Sequence, residues 1–245
     1  MSNIKKPPSN SKEVYKSESG FSTYRFVVAG LAVAIVFSQA MSFLSVSPLV
    51  PLIIEEYKIS HFMAGLLSSI TILSHVAFAI PASMLIGRFG IKMVIVFGCL
   101  LSLTSTLSFL AESFLILLFL RLLFGLGASL IIPAIAPLFM QWFRPKELPL
   151  INGVFLISVS LGITTSTFLV APLSEAIGWD IALSGFGGVA LLSTVVWLFF
   201  GKANRSPPAS EEGSVIGRAW EIIRARNTLL VAVADAGPLA LLTAF

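Results

Sequence analysis

Two residues of the charged types, Arg121 and Asp235, lie inside long apolar stretches of the sequence. A charge near the centre of a bilayer costs about 2.5 to 3.5 kcal/mol on insertion scales, so it is rarely kept without a partner or a wet cavity. Arg121 is therefore a candidate binding or coupling residue, and the alternative is an arginine that extends to the outer headgroups. Because burial disfavours an ionised carboxylate, Asp235 is a candidate proton-exchanging group. The alternatives for Asp235 are a place near the cytoplasmic mouth, or a last stretch that forms no stable crossing.

Polar side chains also recur at helical spacing within the first two apolar stretches. Ser38, Ser42 and Ser45 share one helical face, and His75 shares a face with two hydroxyl residues of the next stretch. These four residues could line a cavity. Serine hydroxyls in membrane helices more often bond to their own backbone or to a neighbouring helix, and a histidine there is more often neutral and packed. Both interpretations stay open.

Other chemistries find little support in the sequence. It lacks the Gly-rich loop ending in Lys and Ser or Thr that cradles nucleotide phosphates, which argues against an ATP-driven pump. Its two histidines lie far apart and its single cysteine, Cys99, lies in an apolar stretch, so we predict neither a metal site nor a cofactor. Asp235 has no second acid or nucleophile beside it, so we expect that the protein is not an enzyme.

The composition is typical of an integral membrane protein. Hydrophobic residues make up 56% of the sequence and charged residues only 11%, whereas a soluble domain carries about 25% charged residues. The net charge of +4 is scattered over many loop flanks rather than gathered into one patch, which excludes nucleic-acid binding. The first partner we predict is therefore the lipid bilayer.

Seven apolar stretches are long enough to cross a hydrocarbon core of about 30 Å, which takes roughly 20 helical residues. Each must be a helix, because a near-continuous apolar run in lipid has no other way to satisfy its backbone N–H and C=O groups. The predicted segments are 26–50, 62–86, 93–111, 113–140, 148–172, 181–200 and 227–245.

The basic residues predict the orientation of these segments. The chain has 16 Lys and Arg residues, and all but Lys58 and Arg121 fall in alternate gaps between segments. Short loops rich in Lys and Arg stay in the cytoplasm, so we predict that the N-terminus and every second loop are cytoplasmic. The predicted location is the plasma or inner membrane, crossed several times.

The gaps divide the chain into four parts. We predict a cytoplasmic tail over 1–25, a six-helix bundle over 26–200, a cytoplasmic linker over 201–226, and over 227–245 a seventh helix that starts a second half. The later linker has an apolar helical face that includes Ile216 and Trp220, which predicts an amphipathic helix on the membrane surface. The alternative is a solvated helix that packs on the bundle.

Two features of the bundle follow from the segment count and the loop lengths. Three crossings reverse the direction of the chain, so segments one to three and four to six are expected to form an inverted pair, with a binding site between repeats. Residues 87–92 form a turn so short that the second and third segments must pack antiparallel, with Gly87 and Gly90 supplying unusual backbone angles.

Arg88, Gly90 and Lys92 also match a known loop signature between second and third helices. That signature, of the major facilitator superfamily, has a Gly, three residues, Asp, Arg, any residue, Gly and two basic residues. Ser83 and Gly87 stand in place of its leading Gly and its Asp. In the family this loop takes part in gating at the cytoplasmic side, so the resemblance implies a gating role for Arg88, Gly90 and Lys92. The missing Asp removes part of that gate.

A second motif lies in the fourth segment, where Arg121, Gly125 and Gly127 match the family's Arg, three residues, Gly, one residue, Gly. Glycines at such positions let helix backbones approach closely, so Gly125 and Gly127 are predicted to pack against other helices. This motif context favours a transport role for Arg121 over the extended-arginine alternative.

The resemblance covers essentially the whole chain and implies both fold and function. The implied fold is an all-α integral membrane protein, with a six-helix N-terminal bundle of two inverted three-helix repeats plus a seventh helix. The implied function is secondary active transport of a small solute by alternating access, ion-coupled as in symport, within a longer protein. The implied partners are a small-molecule solute and either a missing C-terminal half or a second copy.

A competing interpretation belongs to a different class. The sequence stops at Phe245 directly after an apolar run, as though cut, and Gly87 replaces the gating Asp. These two features favour a non-transporting membrane sensor, an assembly partner or an inactive truncated remnant.

Overall fold

The computed structural model of the chain describes residues 23–203. Within this range the chain forms seven α-helices and two 3₁₀-helices and no strand. The α-helices are α1 (Tyr24–Leu44), α2 (Val50–Tyr57), α3 (His61–Phe89), α4 (Ile91–Ser102), α5 (Phe114–Trp142), α6 (Leu148–Ile177) and α7 (Trp179–Phe200).

These elements make six spans that are long and apolar enough to cross a membrane in the described range. The first span joins α1 and α2 through the 3₁₀-helix Ser47–Leu49, and the third span joins α4 to the 3₁₀-helix Leu103–Leu110. The second, fourth, fifth and sixth spans are α3, α5, α6 and α7. The all-helical membrane fold predicted from the sequence is therefore confirmed.

The break in the first span lies where prolines follow one another along the chain. Pro48 is in the first turn of the 3₁₀-helix, and Pro51 is in the first turn of α2. A proline has no backbone N–H and its ring clashes with the preceding turn, so the hydrogen-bond ladder of α1 does not continue across this region. α1 consequently ends at Leu44, inside the membrane-spanning length.

The connection between the second and third spans is shorter than predicted. α3 continues through Gly87 and Arg88 to Phe89, and α4 begins at Ile91, so Gly90 alone lies between the two helices. Gly90 has a φ of 82°, in a region that favours glycine, whereas Gly87 is helical. The prediction of unusual backbone angles at both glycines was therefore wrong for Gly87.

The packing of the spans has an internal symmetry. The first span packs against the fifth and sixth, and the fourth span packs against the second and third. The third and sixth spans pack on each other, and the second and fifth each contact the last span of their own triplet. Exchanging the first three spans for the last three leaves this pattern unchanged, as expected for two inverted three-helix repeats.

Two apolar clusters fill the interior on either side of a polar level. One contains Ile35, Ile95, Leu138, Phe139 and Trp197, and the other contains Met41, Ile53, Leu117, Val170 and Phe186. On the fourth span, Leu117 of the second cluster comes before Arg121, and Leu138 and Phe139 of the first cluster come after it. The bundle therefore places a buried charge between two apolar clusters.

Several predicted parts of the chain lie outside the described residues. These are most of the N-terminal tail, the amphipathic helix of the linker, the seventh segment 227–245 and the candidate residue Asp235.

Candidate functional site

Arg121 is buried at the contact between the first and fourth spans. Only 1% of its surface is exposed, and its Nη1 donates a hydrogen bond of 2.9 Å to the backbone carbonyl of Ser42. The guanidinium carbon also lies 5.8 Å from the centroid of the Phe124 ring, one turn along its own helix. The side chain therefore points into the bundle, and the alternative in which it extends to the outer headgroups does not describe this structure.

The acceptor for Arg121 is available because α1 ends nearby. The last four carbonyls of a helix have no intrahelical donor, and the C-terminal end of a helix carries a partial negative charge. Ser42 lies in this last turn, and its carbonyl accepts from both Arg121 and the Ser45 hydroxyl, the latter at 3.0 Å. The broken first span thus gives the buried cation its acceptor.

The guanidinium group has further hydrogen-bonding capacity. Nε and Nη2 of Arg121 are buried and have no hydrogen-bond partner among the described residues. These two nitrogens form one edge of the planar guanidinium, the geometry that binds a carboxylate through two parallel hydrogen bonds. This edge of the guanidinium therefore keeps its capacity to pair with an anionic group while Nη1 stays on the Ser42 carbonyl.

Gln39 lies one helical turn before Ser42 on the first span, and our sequence reasoning did not single it out. Its side chain is 5% exposed, and its Oε1 has no partner among the described residues. The Oγ of Ser42, one helical turn further on, is likewise buried without a partner. An amide beside a serine stripe in an apolar segment was a signal that could have identified Gln39.

The other two serines of the predicted stripe donate hydrogen bonds to carbonyls of their own span. The Ser38 hydroxyl donates to the carbonyl of Ile35 at 2.8 Å, and the Ser45 hydroxyl donates to that of Ser42. Both side chains are buried. Of the three predicted serines, Ser42 is thus the one whose hydroxyl is free to bind a ligand within the described part of the chain.

His75 lies on the second span and does not join this cluster through any hydrogen bond in the described range. Its Nδ1 is buried and unpaired, while the residue as a whole is half-buried. Thr71, one turn earlier, donates to its own helix at Leu67 and, at 3.4 Å, to the carbonyl of Arg121. The hydrogen bond from Thr71 therefore connects the second span to the backbone of Arg121.

Gly125 and Gly127 lie at close approaches between helices. A Cβ atom at Gly125 would lie 2.5 Å from the carbonyl oxygen of Thr71, and one at Gly127 would lie 2.6 Å from that of Gly98. No carbon atom fits at such distances, so both positions require glycine. They fix the fourth span against the second and third spans, and so fix the depth at which Arg121 enters the bundle.

The predicted gating loop lies at the opposite end of the second span from Ser60. Arg88 and Phe89 are exposed, and the Arg88 guanidinium carbon lies 5.5 Å from the Phe89 ring centroid. Gly90 supplies the turn, and Lys92 is half-buried in the first turn of the third span. These residues are brought to one end of the bundle, far along the chain from Arg121.

An ion pair ties the first span to the loop between the fourth and fifth spans. Arg25 Nη1 lies 2.9 Å from Glu147 Oε2, and the same oxygen accepts from the backbone N–H of Arg144 at 2.9 Å. The Arg25 guanidinium carbon is also 5.6 Å from the ring centroid of Phe143. The sequence pattern places these residues in basic gaps but gives no pairing for them.

A cavity of about 360 Å³ lies at the other end of the bundle. Its lining includes the acidic residues Glu56, Glu112 and Asp180 and the aromatic residues Tyr57 and Trp179. The Tyr57 hydroxyl donates to the carbonyl of Ala111, which links the end of the first span to the end of the third. In the described range, no three His, Cys, Asp or Glu side chains are grouped so that they could hold a metal ion.

Comparison with known proteins identifies the family. The family model of the Major Facilitator Superfamily matches residues 31–245. An uncharacterised protein of Campylobacter jejuni is 28% identical over 66% of this chain and 51% of its own length. A probable sulfoacetate transporter of Cupriavidus necator, SauU, is 27% identical over 73% of this chain and 42% of its own length. A hexuronate transporter of Bacillus subtilis is 26% identical over 62% and 36% of the two chains.

Solved structures give the same fold. The crystal structure of the peptide transporter POT in complex with sulfate superimposes with a TM-score of 0.59 at 15% sequence identity, covering 85% of this chain and 45% of that one. The chain spans about half the length or less of the curated relatives it matches. Its six spans correspond to the N-terminal half of these transporters. On its helical bundle, its motifs and the family match, the chain belongs to the major facilitator superfamily.

Proposed function

We propose that this chain is the N-terminal half of a secondary active transporter that carries a small anion across the cell membrane by alternating access. The observation that carries the proposal is the buried guanidinium of Arg121, whose Nε and Nη2 have no partner within the described residues. A cation kept at this depth is costly, and a negatively charged solute would offset that cost.

The names of relatives support the anionic class. SauU is named for sulfoacetate and the Bacillus subtilis relative for hexuronate, and both of these solutes carry negative charge. A guanidinium with its bidentate edge free binds carboxylate and sulfonate oxygens in the same way. We therefore assign the solute of this transporter to the small organic anions.

The mechanism requires a second bundle. In alternating access a solute bound between two halves is exposed first to one side and then to the other. This chain would supply one half, and the other would come from a further part of the protein or from a second copy. The loop residues Arg88, Gly90 and Lys92 would then contact the other half when the cytoplasmic side closes.

The proposed transport is coupled to an ion gradient. Moving an anion into a cell against the membrane potential needs energy of about 2.3 kcal/mol per charge for each 100 mV, which a co-transported proton can supply. Asp235 is our candidate for the proton-carrying group. If Asp235→Asn still accumulates the anion when a proton gradient is imposed, Asp235 has no coupling role.

The main test is uptake. Cells that express the encoding gene should accumulate radiolabelled sulfoacetate or glucuronate above vector controls, and Arg121→Ala should abolish this uptake while membrane insertion stays normal. Lys146→Ala is the matched control, because it removes an exposed cation without touching the buried cluster. Wild-type uptake in the Arg121→Ala variant would remove Arg121 from the site.

The orientation is tested independently. We propose that the N-terminus and the Arg144 loop are cytoplasmic, because basic loops remain inside. Cysteines placed at Glu56 and at Glu175 should react with an impermeant maleimide added to intact cells, and a cysteine at Arg144 should react only after lysis. Labelling of Arg144 from outside would reverse the topology.

A non-transporting role as a sensor or assembly partner is the second candidate, favoured by Gly87 in place of the gating Asp. The uptake experiment separates the two functions. Insertion without uptake of any anion, in cells that express the whole gene, would favour the second candidate.

A further inference from the structure

We propose that the 3₁₀-helix Leu103–Leu110 of the third span is a winding switch, which converts to α-helix and thereby releases the end of the first span at Tyr57. The 3₁₀ form is the one in the structure, with the Tyr57 hydroxyl bonded to the carbonyl of Ala111. This switch is independent of the solute that the protein carries.

The 3₁₀-helix is unusually long. It has 8 residues, whereas runs of more than about four are uncommon because the hydrogen bonds of a 3₁₀-helix are poorly aligned. The sixth span, its equivalent in the second repeat, is a regular α-helix over Trp179–Phe200, so the repeat does not itself require this winding. A stretch of 3₁₀-helix within a longer helix often marks a hinge.

The sixth span holds the 3₁₀ form at two points. The Oγ of Ser184 accepts a hydrogen bond of 2.9 Å from the backbone N–H of Phe109. Gly187 lies so close that a Cβ atom added to it would be 2.6 Å from the Cα of Thr106. The Ser184 hydroxyl itself donates to the carbonyl of Asp180 at 2.7 Å, which leaves its lone pairs for Phe109. The 3₁₀ winding therefore depends on contacts from another span.

Thr106 favours the α form. Its Oγ1 is buried and has no hydrogen-bond partner among the described residues, which destabilises the 3₁₀ form. In an α-helix a threonine hydroxyl can donate to the carbonyl three or four residues earlier. Four residues before Thr106 is Ser102, so conversion to α-helix would give this hydroxyl an acceptor.

The conversion also turns Phe109 into the bundle. A 3₁₀-helix rotates about 120° per residue and an α-helix about 100°, so between Ser102 and Phe109 the difference is about 140°. Phe109 is now 52% exposed, and this rotation brings it to the face of Ser102, which is 0% exposed. The cavity of about 360 Å³ is lined by both Ser108 and Phe109, so the ring has space on this side.

The conversion shortens the third span at one end. The rise per residue falls from about 2.0 to about 1.5 Å, so the 8 residues become about 4 Å shorter. The α-helical part is fixed, because a Cβ atom at Gly98 would lie 2.9 Å from the carbonyl oxygen of Gly127 on the fourth span. Ala111 is therefore the end that moves. Residues 111–113 can follow it, since three extended residues cover about 10 Å.

Tyr57 does not follow Ala111. Its ring packs edge-on against Phe114 of the fourth span and Trp179 of the sixth, with centroid distances of 6.3 and 5.9 Å. A displacement of about 4 Å exceeds the length of a hydrogen bond, so the bond from Tyr57 to Ala111 breaks. The first span is thus bonded to the third in the 3₁₀ form and released in the α form.

The test measures the length of the third span through two spin labels in the purified 245-residue chain. The labels are attached to Met93→Cys and Glu112→Cys, both at exposed positions, in a Cys99→Ala background. The α form should give a distance about 4 Å shorter than the 3₁₀ form. We expect both distances in the wild type, with the longer one predominating.

Two variants of the sixth span should favour the shorter distance. Ser184→Ala should raise the ratio of short to long form at least about twofold, because the Phe109 N–H loses its acceptor. Gly187→Ala should raise the ratio further, because the added methyl group forces the sixth span away from Thr106. Gly188→Ala is the matched control: a Cβ atom there meets nothing within 4 Å, so the ratio should stay unchanged.

Thr106→Val separates switching from a general loosening of the bundle. Valine keeps the branched shape but has no hydroxyl, so it removes the unpaired group of the 3₁₀ form and the added hydrogen bond of the α form. The ratio of short to long form should therefore fall. Tyr57→Phe should raise it, because nothing then holds the Ala111 carbonyl.

The outcomes decide both parts of the switch. A single distance that neither Ser184→Ala nor Gly187→Ala changes would overturn the conversion. A change in these two variants with none in Tyr57→Phe would overturn the release of the first span. If Gly187→Ala does not fold, Ser184→Ala and Thr106→Val still decide, since each removes one hydroxyl and shifts in the same direction would overturn the switch.

Discussion

The contact between the first and fifth spans and the contact between the second and fourth spans are equivalent under the exchange of the two triplets. Both are closed by a glycine: Gly162 against the backbone of Phe37, and Gly125 against the backbone of Thr71. Both also carry a hydroxyl that crosses to the other span. Among the described residues, however, a fully buried cation lies at one of the two contacts only, at Arg121. Within the described residues, the repeats thus share their packing, while the fully buried charge belongs to the second repeat.

The largest effect is expected from enlarging the two glycines. A Cβ atom would lie 2.5 Å from the Phe37 oxygen at Gly162, and equally close to the Thr71 oxygen at Gly125. Backbone cannot move aside as a side chain can, so Gly162→Val and Gly125→Val should each lower the free energy of unfolding by about 3 kcal/mol or more. Chemical denaturation of the purified chain in mixed micelles would measure this.

Gly153 provides the control for both glycine variants. It lies on the fifth span, and a Cβ atom added there would meet nothing within 4 Å, so Gly153→Val should change stability far less. A large loss at Gly125 with none at Gly162 would show that the two contacts are not equivalent in energy.

The next largest effect is expected from replacing Arg121, which distinguishes the second repeat from the first. Burying a charge costs several kcal/mol of desolvation, and Arg121 has a backbone carbonyl rather than a counter-ion to offset it, so an apolar side chain of similar volume removes that cost. Arg121→Met should therefore unfold at the same or a higher temperature than the wild type, although it no longer supports uptake. A loss of several kcal/mol would instead make Arg121 chiefly a structural cap for α1.

Smaller effects are expected from the hydroxyls that cross between spans. Ser158 donates to the Val33 carbonyl at 2.9 Å, whereas Thr71 reaches the Arg121 carbonyl at 3.4 Å and also bonds within its own span. Interhelical hydrogen bonds in membranes average about 0.6 kcal/mol, so Ser158→Ala should cost about this much and Thr71→Val less. If Ser158→Ala and Thr71→Val lost the same free energy of unfolding in the same denaturation assay, the shorter hydrogen bond would not be the stronger one.

The smallest effect is expected from the ion pair of Arg25 and Glu147. Their side chains are 18% and 35% exposed, and partly exposed pairs contribute about 0.2 to 1 kcal/mol. A double-mutant cycle of Arg25→Gln and Glu147→Gln should give a coupling energy in this range, and it should shrink in high salt. A coupling energy well above this range would indicate that the pair fixes the first span to the fifth.

Sequence patterns predicted the spans well because length and hydropathy alone determine which stretches can cross lipid. They could not predict the interruption of the first span at Leu44, since membrane helices tolerate prolines such as Pro48 when neighbouring groups satisfy the backbone. The same limit applied to the loop between the second and third spans, where Gly87 proved helical because the following residues could extend α3 by one more turn.

The candidate site was predicted in part. Arg121 was identified because a charge in an apolar segment is costly wherever it points. Its partner was not identified, because the acceptor is the Ser42 carbonyl, which every residue possesses and which becomes available only where α1 ends. Gln39 was missed for a related reason: its importance comes from lacking a partner within the described residues, and that is a property of the folded bundle.

The single-residue connection at Gly90 limits proteolytic cleavage between the second and third spans. Arg88 and Lys92 are cleavage sites for trypsin by sequence, yet both belong to helices that meet at Gly90. A protease must draw an extended strand of substrate into its cleft, and exposed loops are where such strands are found. Trypsin acting on the folded protein should therefore leave this joint uncut. The second and third spans would remain on one peptide even after longer loops had been digested.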